Sequence, residues 1–100
     1  MELTMRVIDF LQLILDLDKQ TRFFYQGASD NLYAVTELVI KPESVILTTK
    51  KASAHALHQW ELVTLLQSIA NKTIYMQILV LNDYAEFYGI QLHESAAYIK

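Results

Sequence analysis

Three side chains with metal-ligating chemistry, His55, His58 and Glu61, follow one another at intervals of three residues. On a helix, residues three apart lie on neighbouring turns of one face. Imidazole and carboxylate groups together suit zinc or another divalent ion, and His93 in a later turn is a conceivable further ligand. Metal-binding histidines on a helix more often sit four apart, however. The pattern therefore leaves two interpretations open, a metal site and the solvated face of a helix, and favours the second.

Asp9, Asp16 and Asp18 are the acids whose spacing invites an acid–base interpretation. Paired carboxylates divide acid and base roles when burial separates their pKa values. Asp9 and Asp16 are two helical turns apart, which is too far to share a proton, and Asp18 falls at a predicted helix end. We predict that all three are solvated.

Aromatic side chains concentrate on the predicted strands. Such a set can stack nucleic-acid bases, but here it lacks flanking basic residues and a glycine-rich signature. Cross-strand packing is the first interpretation and a protein interface the second. The set comprises Phe23, Phe24, Tyr25, Tyr33, Tyr75, Tyr84, Phe87, Tyr88 and Tyr98.

A polar stretch, Gly27 to Asn31, is the predicted loop that differs most between two related halves of the chain. Such loops can carry function or simply drift. Ser29 lies in it, but no nucleophile elbow surrounds this serine and no histidine lies in its half. Phosphate-binding and dinucleotide-binding glycine motifs are also missing from the sequence. We therefore expect a protein that is not an enzyme and needs no cofactor.

Two helices are predicted to position these residues. Thr4 is a candidate N-cap for a helix that runs to about Leu17 and is apolar over most of its circumference, so we expect cover on more than one side. Ser53 is a candidate N-cap for the second helix, and Asn71 is placed to end it in the left-handed conformation.

Strands follow each helix, and the whole pattern recurs after 52 residues. Asp9, Leu13 and Ile14 align with Glu61, Leu65 and Leu66. The predicted strands are 21–25, 33–40, 45–49, 73–80, 85–92 and 96–100.

These elements predict an α+β fold made of two tandem α-β-β-β repeats, 4–50 and 53–100, that share one core in a single domain, 1–100. Units of about fifty residues bury too little surface alone. A mostly antiparallel sheet of about six strands with both helices on one face is the expected architecture, and two small sheets packed through the helices are the alternative. The last strand, at Ile99, is the expected sheet edge.

The composition adds a surplus of apolar side chains: 53% of the residues are hydrophobic and 19% are charged. Average soluble domains are about 45–50% apolar and about 25% charged. The surplus predicts an interface, because large apolar patches are rare on monomers. The expected partner-binding residues are Leu11, Leu15, Trp60, Tyr84 and Tyr98.

Other partners are less compatible with the sequence. The net charge is −3, and Lys50-Lys51 is the only adjacent basic pair. The sequence thus lacks a basic stripe that could follow a phosphate backbone, which disfavours nucleic-acid binding. With no cysteine, disulfide and thiolate-metal chemistry are excluded. The start of the chain lacks signal-peptide features, no apolar run would span a bilayer, and a cytoplasmic location is the default expectation.

The run Val7-Ile8-Asp9-Phe10-Leu11, followed by Thr21-Arg22-Phe23, Gly27, residues 36–40 and Val45-Ile46-Leu47, resembles the opening of small phage or prophage accessory proteins. Some anti-CRISPR inhibitors share this start. The resemblance covers about the first 45 residues and implies a helix that leads into a three-stranded antiparallel sheet. Dense acidic residues, as in DNA-mimicking inhibitors, are missing here.

We therefore expect a non-enzymatic interaction or regulatory accessory protein that forms a homodimer and binds another protein. The alternative is a small-ligand or metal-binding module that uses the cleft between the repeats.

Overall fold

A computed structural model describes residues 5–27 and 31–100 of the chain. Within these ranges the chain forms two helices and seven strands. In chain order they are α1 (Val7–Ile14), β1 (Arg22–Gln26), β2 (Leu32–Ile40), β3 (Ser44–Lys51), α2 (Gln59–Gln67), β4 (Tyr75–Val80), β5 (Asp83–Ala85), β6 (Ile90–His93) and β7 (Ala96–Ile99). The predicted cap Thr4 and most of the predicted loop, including Ser29, lie outside the described residues.

All of these strands belong to one sheet with the order β5-β4-β3-β2-β1-β7-β6. The β1–β7 and β3–β4 pairs are parallel, and the other four pairs are antiparallel. The α+β class and the mostly antiparallel sheet are thus confirmed. The sheet has seven strands where about six were expected, because the predicted strand 85–92 is interrupted at residues 86–89. The expectation that the last strand forms an edge is also wrong, since β7 lies between β1 and β6.

The sheet must curl, because its two edge strands are close in sequence. Ala85 at the end of β5 and Ile90 at the start of β6 are separated only by residues 86–89. Five Cα–Cα steps span at most about 18 Å. Seven flat strands, spaced about 4.8 Å apart, would hold the edges about 29 Å from each other. The sheet therefore wraps around its helix-bearing face.

One hydrophobic core fills that curled face. Both helices contribute to it, together with alternate residues of the inner strands, so both helices lie on the same side of the sheet. Phe10 of α1 packs edge-on against Phe23 and Phe87, with ring centroids 6.2 and 5.5 Å apart. The fully buried members are Val7, Phe10, Ile14, Phe23, Val35, Val45, Leu47, Leu62, Leu66, Met76, Ile78, Phe87, Ala97 and Ile99.

The segment that precedes α2 is inserted between β1 and β2. The Phe23 N–H donates to the Leu57 carbonyl at 3.1 Å, and the Leu57 N–H donates to the Val35 carbonyl at 2.7 Å. The β1–β2 pairing ends at Phe24 and Ala34, and the register of the neighbouring β2–β3 pair shifts just beyond this point, between Val35 and Glu37. Leu57 thus closes a gap that would leave backbone groups of both strands unpaired.

This insertion explains why the predicted start of α2 is wrong. The N-cap of α2 is His58, not Ser53, because residues 55–57 lie outside the helix and His58 is extended and forms a bridge with Arg22. The N-cap of α1 is Arg6, which forms the corresponding bridge with Tyr75. In each case the N-cap residue is extended and forms a bridge with a strand residue of the other half.

The two chain reversals after α2 and β4 use different chemistry. The prediction that Asn71 ends the helix in the left-handed conformation is wrong, because α2 already ends at Gln67. The Asn71 side chain instead accepts hydrogen bonds from the N–H and hydroxyl of Thr73. The reversal after β4 uses positive backbone φ angles, which among the described non-glycine residues occur at Leu81 (50°) and Asn82 (75°). Two successive positive values make the tight turn that joins antiparallel strands.

Candidate functional site

His58 and Glu61 form a compact pair at the start of α2. The Glu61 carboxylate accepts the His58 backbone N–H at 2.9 Å, and the same oxygen lies 3.0 Å from Nδ1 of the His58 ring. The first contact is a capping bond, which satisfies one of the free amides at a helix start. The pair therefore caps the N-terminus of α2, and the bridge between His58 and Arg22 places this helix start beside β1.

This arrangement changes the acidity of Glu61. The hydrogen bond from the His58 backbone lowers the pKa of the Glu61 carboxyl, partial burial opposes this shift, and the His58 side chain adds to the lowering. A carboxylate that accepts such bonds is stabilised in its charged form.

The predicted metal ligands are close but are engaged with each other. The His55 and His58 rings lie 5.6 Å apart between centroids, and His55 is exposed. His93 is on β6, where its ring stacks on Tyr98 at 3.9 Å. In residues 5–27 and 31–100, no group of three or more His, Cys, Asp or Glu side chains is placed to hold a metal ion.

The predicted acids are separate, as expected. Asp9 pairs with Arg6 at 2.9 Å, Asp18 accepts the Gln20 backbone N–H at 2.8 Å, and Asp16 is exposed. These are local surface contacts, and none of them places two carboxylates together.

Leu15 and Trp60, two of the predicted partner-binding residues, line the same groove on the outer side of the helices. Leu15 follows the end of α1 and Trp60 lies in the first turn of α2; both side chains are 49% exposed. The groove has a volume of about 390 Å³ and is lined by Leu15, Leu17, Lys19, Gln59, Trp60, Val63 and Thr64.

A second groove lies on the other side of Trp60. It has a volume of about 220 Å³ and is lined by Leu57, Trp60, Glu61, Thr64 and Leu65. Trp60 thus stands between a larger groove of mixed polarity and a smaller, mainly apolar one, and we call this region the Trp60 surface. The prediction that α1 is covered on more than one side is only partly met, because Ile8, Leu13 and Leu15 are exposed.

The other predicted partner-binding residues lie elsewhere. Leu11 is half-buried and packs against the core. Tyr84 is exposed on the edge strand β5, whereas Tyr98 is half-buried on β7, which is near the other end of the strand order. The structure therefore brings together two of the five residues.

Several aromatic residues pack across strands, as the first interpretation expects. Tyr25 lies opposite Tyr33 in the β1–β2 pair, and Phe24 packs edge-on against Tyr98 with centroids 6.2 Å apart. Phe23 and Phe87 are in the core.

Sequence reasoning missed a further cavity at the outer face of β1. Its lining includes Gln20, Arg22 and Ser95. Ser95 lies at least 73 residues after the other two in the sequence. Nothing in the local pattern links them, since they meet only through the parallel pairing of β1 with β7.

Within the described part of the chain, no helix is long and apolar enough to cross a membrane. No protein-family model, curated protein or solved structure matches this chain, so the resemblance to small phage proteins stays a prediction.

Proposed function

We propose that this chain is a non-enzymatic interaction protein that forms a homodimer through the Trp60 surface and acts by binding another protein. The observation that carries the proposal is the half-exposed Trp60 between two grooves, of which the smaller is mainly apolar and the larger is of mixed polarity. Tryptophan is enriched among the residues that dominate binding energy at interfaces.

A second copy of the chain is the occupant that best suits this surface. A two-fold dimer uses the same patch on both subunits, so the patch must be complementary to itself. The Trp60 surface carries both a projecting ring and apolar grooves that can receive one. The ring of each subunit would enter a groove of the other.

The charges at the two ends of this surface favour the same arrangement. Lys19 lines the larger groove and Glu61 lines the smaller one, with Trp60 between them. A two-fold axis near Trp60 would bring Lys19 of each subunit towards Glu61 of the other. Opposite charges facing each other fix the register of an interface.

Sedimentation velocity over a range of concentrations tests the proposal. We expect the wild type to dimerise and Trp60→Ser to weaken dimerisation by at least about tenfold, as truncating a central interface residue does. Tyr84→Ser is the matched control, because Tyr84 is similarly exposed (56%) but lies on β5. A monomeric wild type, or equal weakening by both substitutions, would contradict the proposal.

Charge reversal gives a second test of the docking geometry. Lys19→Glu would place like charges opposite each other, so we expect weaker dimerisation that is partly restored by salt. An unchanged dimer would reject the two-fold arrangement about Trp60.

We also propose that the chain consists of two related units, 4–50 and 53–100. Strand pairings support this: Leu38–Leu47 recurs as Ile90–Ile99, 52 residues later. The two parallel pairs also correspond. Phe23 of the first unit pairs with Ala97 of the second, and Met76 of the second unit pairs with Val45 of the first.

Hydrogen bonds at the helix starts support the same interpretation. The Val7 N–H donates to Ile74, and the Gln59 N–H donates to Thr21, at 3.0 and 2.8 Å. Each helix start thus binds the connection between helix and strand of the other unit. A duplication in which each half completes the other would explain why neither half carries a core of its own.

A further inference from the structure

A cavity of about 440 Å³ lies on the face of β1 that points away from the core. Phe23 is buried in the core, so its neighbours Arg22 and Phe24 face the opposite side, because side chains alternate along a strand. The volume falls within the range of about 300–1,000 Å³ that small-molecule sites occupy. The lining residues are Gln20, Arg22, Phe24, His58, Ser95 and Ala96.

The strand register explains why a hollow forms here. Arg22 pairs with His58 on one side and with Ala96 of β7 on the other, and Ala96 pairs with His93 of β6. These four residues form one row across the sheet, with side chains about 5 Å from their neighbours. Ala96 carries only a methyl group, which leaves a gap in the row beside Arg22.

Arg22 is the hydrogen-bond donor that this row presents to the cavity, since Nδ1 of His58 is paired with Glu61, and no described carboxylate lies beside Arg22. Among the described residues, the ion pairs are Arg6–Asp9 and His58–Glu61, so no carboxylate lies within 4.0 Å of the Arg22 guanidinium. Guanidinium nitrogens are donors only, and their planar fork matches a carboxylate or phosphate. The Gln20 amide and the Ser95 hydroxyl add donors at the same rim.

The remaining wall of the cavity is aromatic. Phe24 is half-buried and meets Tyr98 edge-on at an interplanar angle of 82°, so its position is fixed by packing. A flat apolar group in the cavity would contact the Phe24 ring, as aromatic rings do in offset or edge-to-face pairs. The donors and this ring line one hollow.

We propose that this cavity binds a small aromatic anion, with the ring against Phe24 and its carboxylate or phosphate on the Arg22 guanidinium. The site lies on the sheet, whereas the Trp60 surface is formed by the helices, so it goes beyond the proposed dimer. A metal ion would find no carboxylate on Arg22, and a single arginine does not track a nucleic-acid backbone.

Amide chemical shifts of the full-length chain, recorded by NMR during titration, test the proposal. The probes are benzoate and phenyl phosphate, which distinguish the two anionic groups, and neutral benzyl alcohol. We expect at least one anion to give saturable shifts at Arg22, Ser95 and Ala96, with a dissociation constant on the order of 1 mM for a ligand of this size. Benzyl alcohol should bind at least about tenfold more weakly, since it lacks the charge.

Substitutions at Arg22 test whether the ligand-induced amide shifts arise from binding in this cavity. Arg22→Gln should weaken binding at least about tenfold, and Arg22→Lys should fall between it and the wild type because it keeps the charge without the fork. Lys41→Gln, the same charge change at an exposed turn residue, should bind like the wild type. Arg22 is also exposed, so unchanged amide shifts away from the cavity would show that the fold is retained.

Three results would overturn the proposal. The first is no saturable shift with either anion at about ten times the expected dissociation constant. The second is equal binding by wild type and Arg22→Gln. The third is equal binding of acetate and inorganic phosphate, which lack the ring, because the Phe24 wall would then contribute nothing.

Discussion

The starts of the two helices carry the same kind of pair in different surroundings. Arg6 and Asp9 at α1 correspond to His58 and Glu61 at α2, each three residues apart and each 52 residues from its counterpart. The side chains of the first pair are 44% and 43% exposed, and those of the second are 17% and 28% exposed. The same spacing therefore makes a solvated ion pair in one half and a sheltered helix cap in the other.

Equivalent core positions should respond alike if the halves share one core. Ile14 and Leu66 are fully buried at corresponding positions of α1 and α2. We expect Ile14→Ala and Leu66→Ala each to lower the free energy of unfolding by about 2–5 kcal/mol through the cavity left behind. Urea denaturation followed by circular dichroism should show one transition in both variants. Separate transitions for the two halves would contradict a shared core.

Gln59 is a position where the halves differ in chemistry. Its counterpart, Val7, is apolar and buried, whereas Gln59 is a buried amide that donates to the carbonyls of Ile14 and Leu15 at 2.9 and 3.3 Å. Gln59→Val removes these donors from the end of α1, so we expect a loss of about 1–3 kcal/mol in urea denaturation.

The exposed Gln67 at the end of the same helix supplies the control for that measurement. Gln67→Val removes no hydrogen bond of this kind and should change the free energy of unfolding by less than about 0.5 kcal/mol. Equal losses in the two variants would mean that helix propensity, not the bonds to α1, explains the effect.

The stabilisation that Glu61 gives to the start of α2 should depend on pH, which allows the two helix starts to be compared. Because the folded-state pKa of Glu61 lies below the ordinary value of 4.5, its stabilisation is fully present above that value and is lost as the pH falls through the folded pKa. We expect Glu61→Gln to destabilise the protein at pH 7 by about 1 kcal/mol, the usual size of a helix-cap contribution.

The difference between wild type and Glu61→Gln should then shrink on acidification, as measured by denaturant unfolding at a series of pH values. Asp9→Asn at the solvated pair should have a smaller effect at pH 7. A constant difference at every pH would show that the Glu61 charge is not responsible.

A substitution at Thr36 should change the free energy of unfolding least among these predictions. Thr36 lies where β2 separates from β1, and its hydroxyl is buried without a hydrogen-bond partner among the described residues. Thr36→Val removes this unsatisfied oxygen and keeps the β-branched shape, so we expect a gain of up to about 1 kcal/mol in thermal or urea unfolding. Destabilisation would mean that the hydroxyl has a partner after all, such as an ordered water.

Local patterns predicted the elements better than their pairing. The predicted strand 45–49 lies within β3, and the turn at Leu81 and Asn82 falls in the gap between the predicted strands 73–80 and 85–92, because strand and turn signals both depend on neighbouring residues. A strict 52-residue offset aligns Phe23 with Tyr75, but Tyr75 is exposed and the next residue, Met76, is buried. One extra residue after α2 shifts the strand by one position, which reverses the faces.

The candidate sites depend on long-range pairing that local patterns do not encode. Leu15 and Trp60 were both predicted as partner-binding residues, yet their shared groove depends on the packing of α1 against α2, to which the hydrogen bond from Gln59 to the end of α1 contributes. The insertion of Leu57 between β1 and β2 had no periodic signal, and the Arg22 cavity needs β1 beside β7. Such contacts follow from tertiary hydrogen bonding, which a single sequence does not reveal.

The central claim is that the Trp60 surface is covered by a second copy of the chain, and the single tryptophan of the sequence reports on it directly. Its fluorescence emission should be measured as the protein is diluted, with acrylamide quenching at both ends of the range. Dimerisation predicts blue-shifted, poorly quenched emission at high concentration that becomes red-shifted and accessible on dilution. Emission and quenching that stay the same across the range, in a sample shown to be monomeric throughout, would contradict the account.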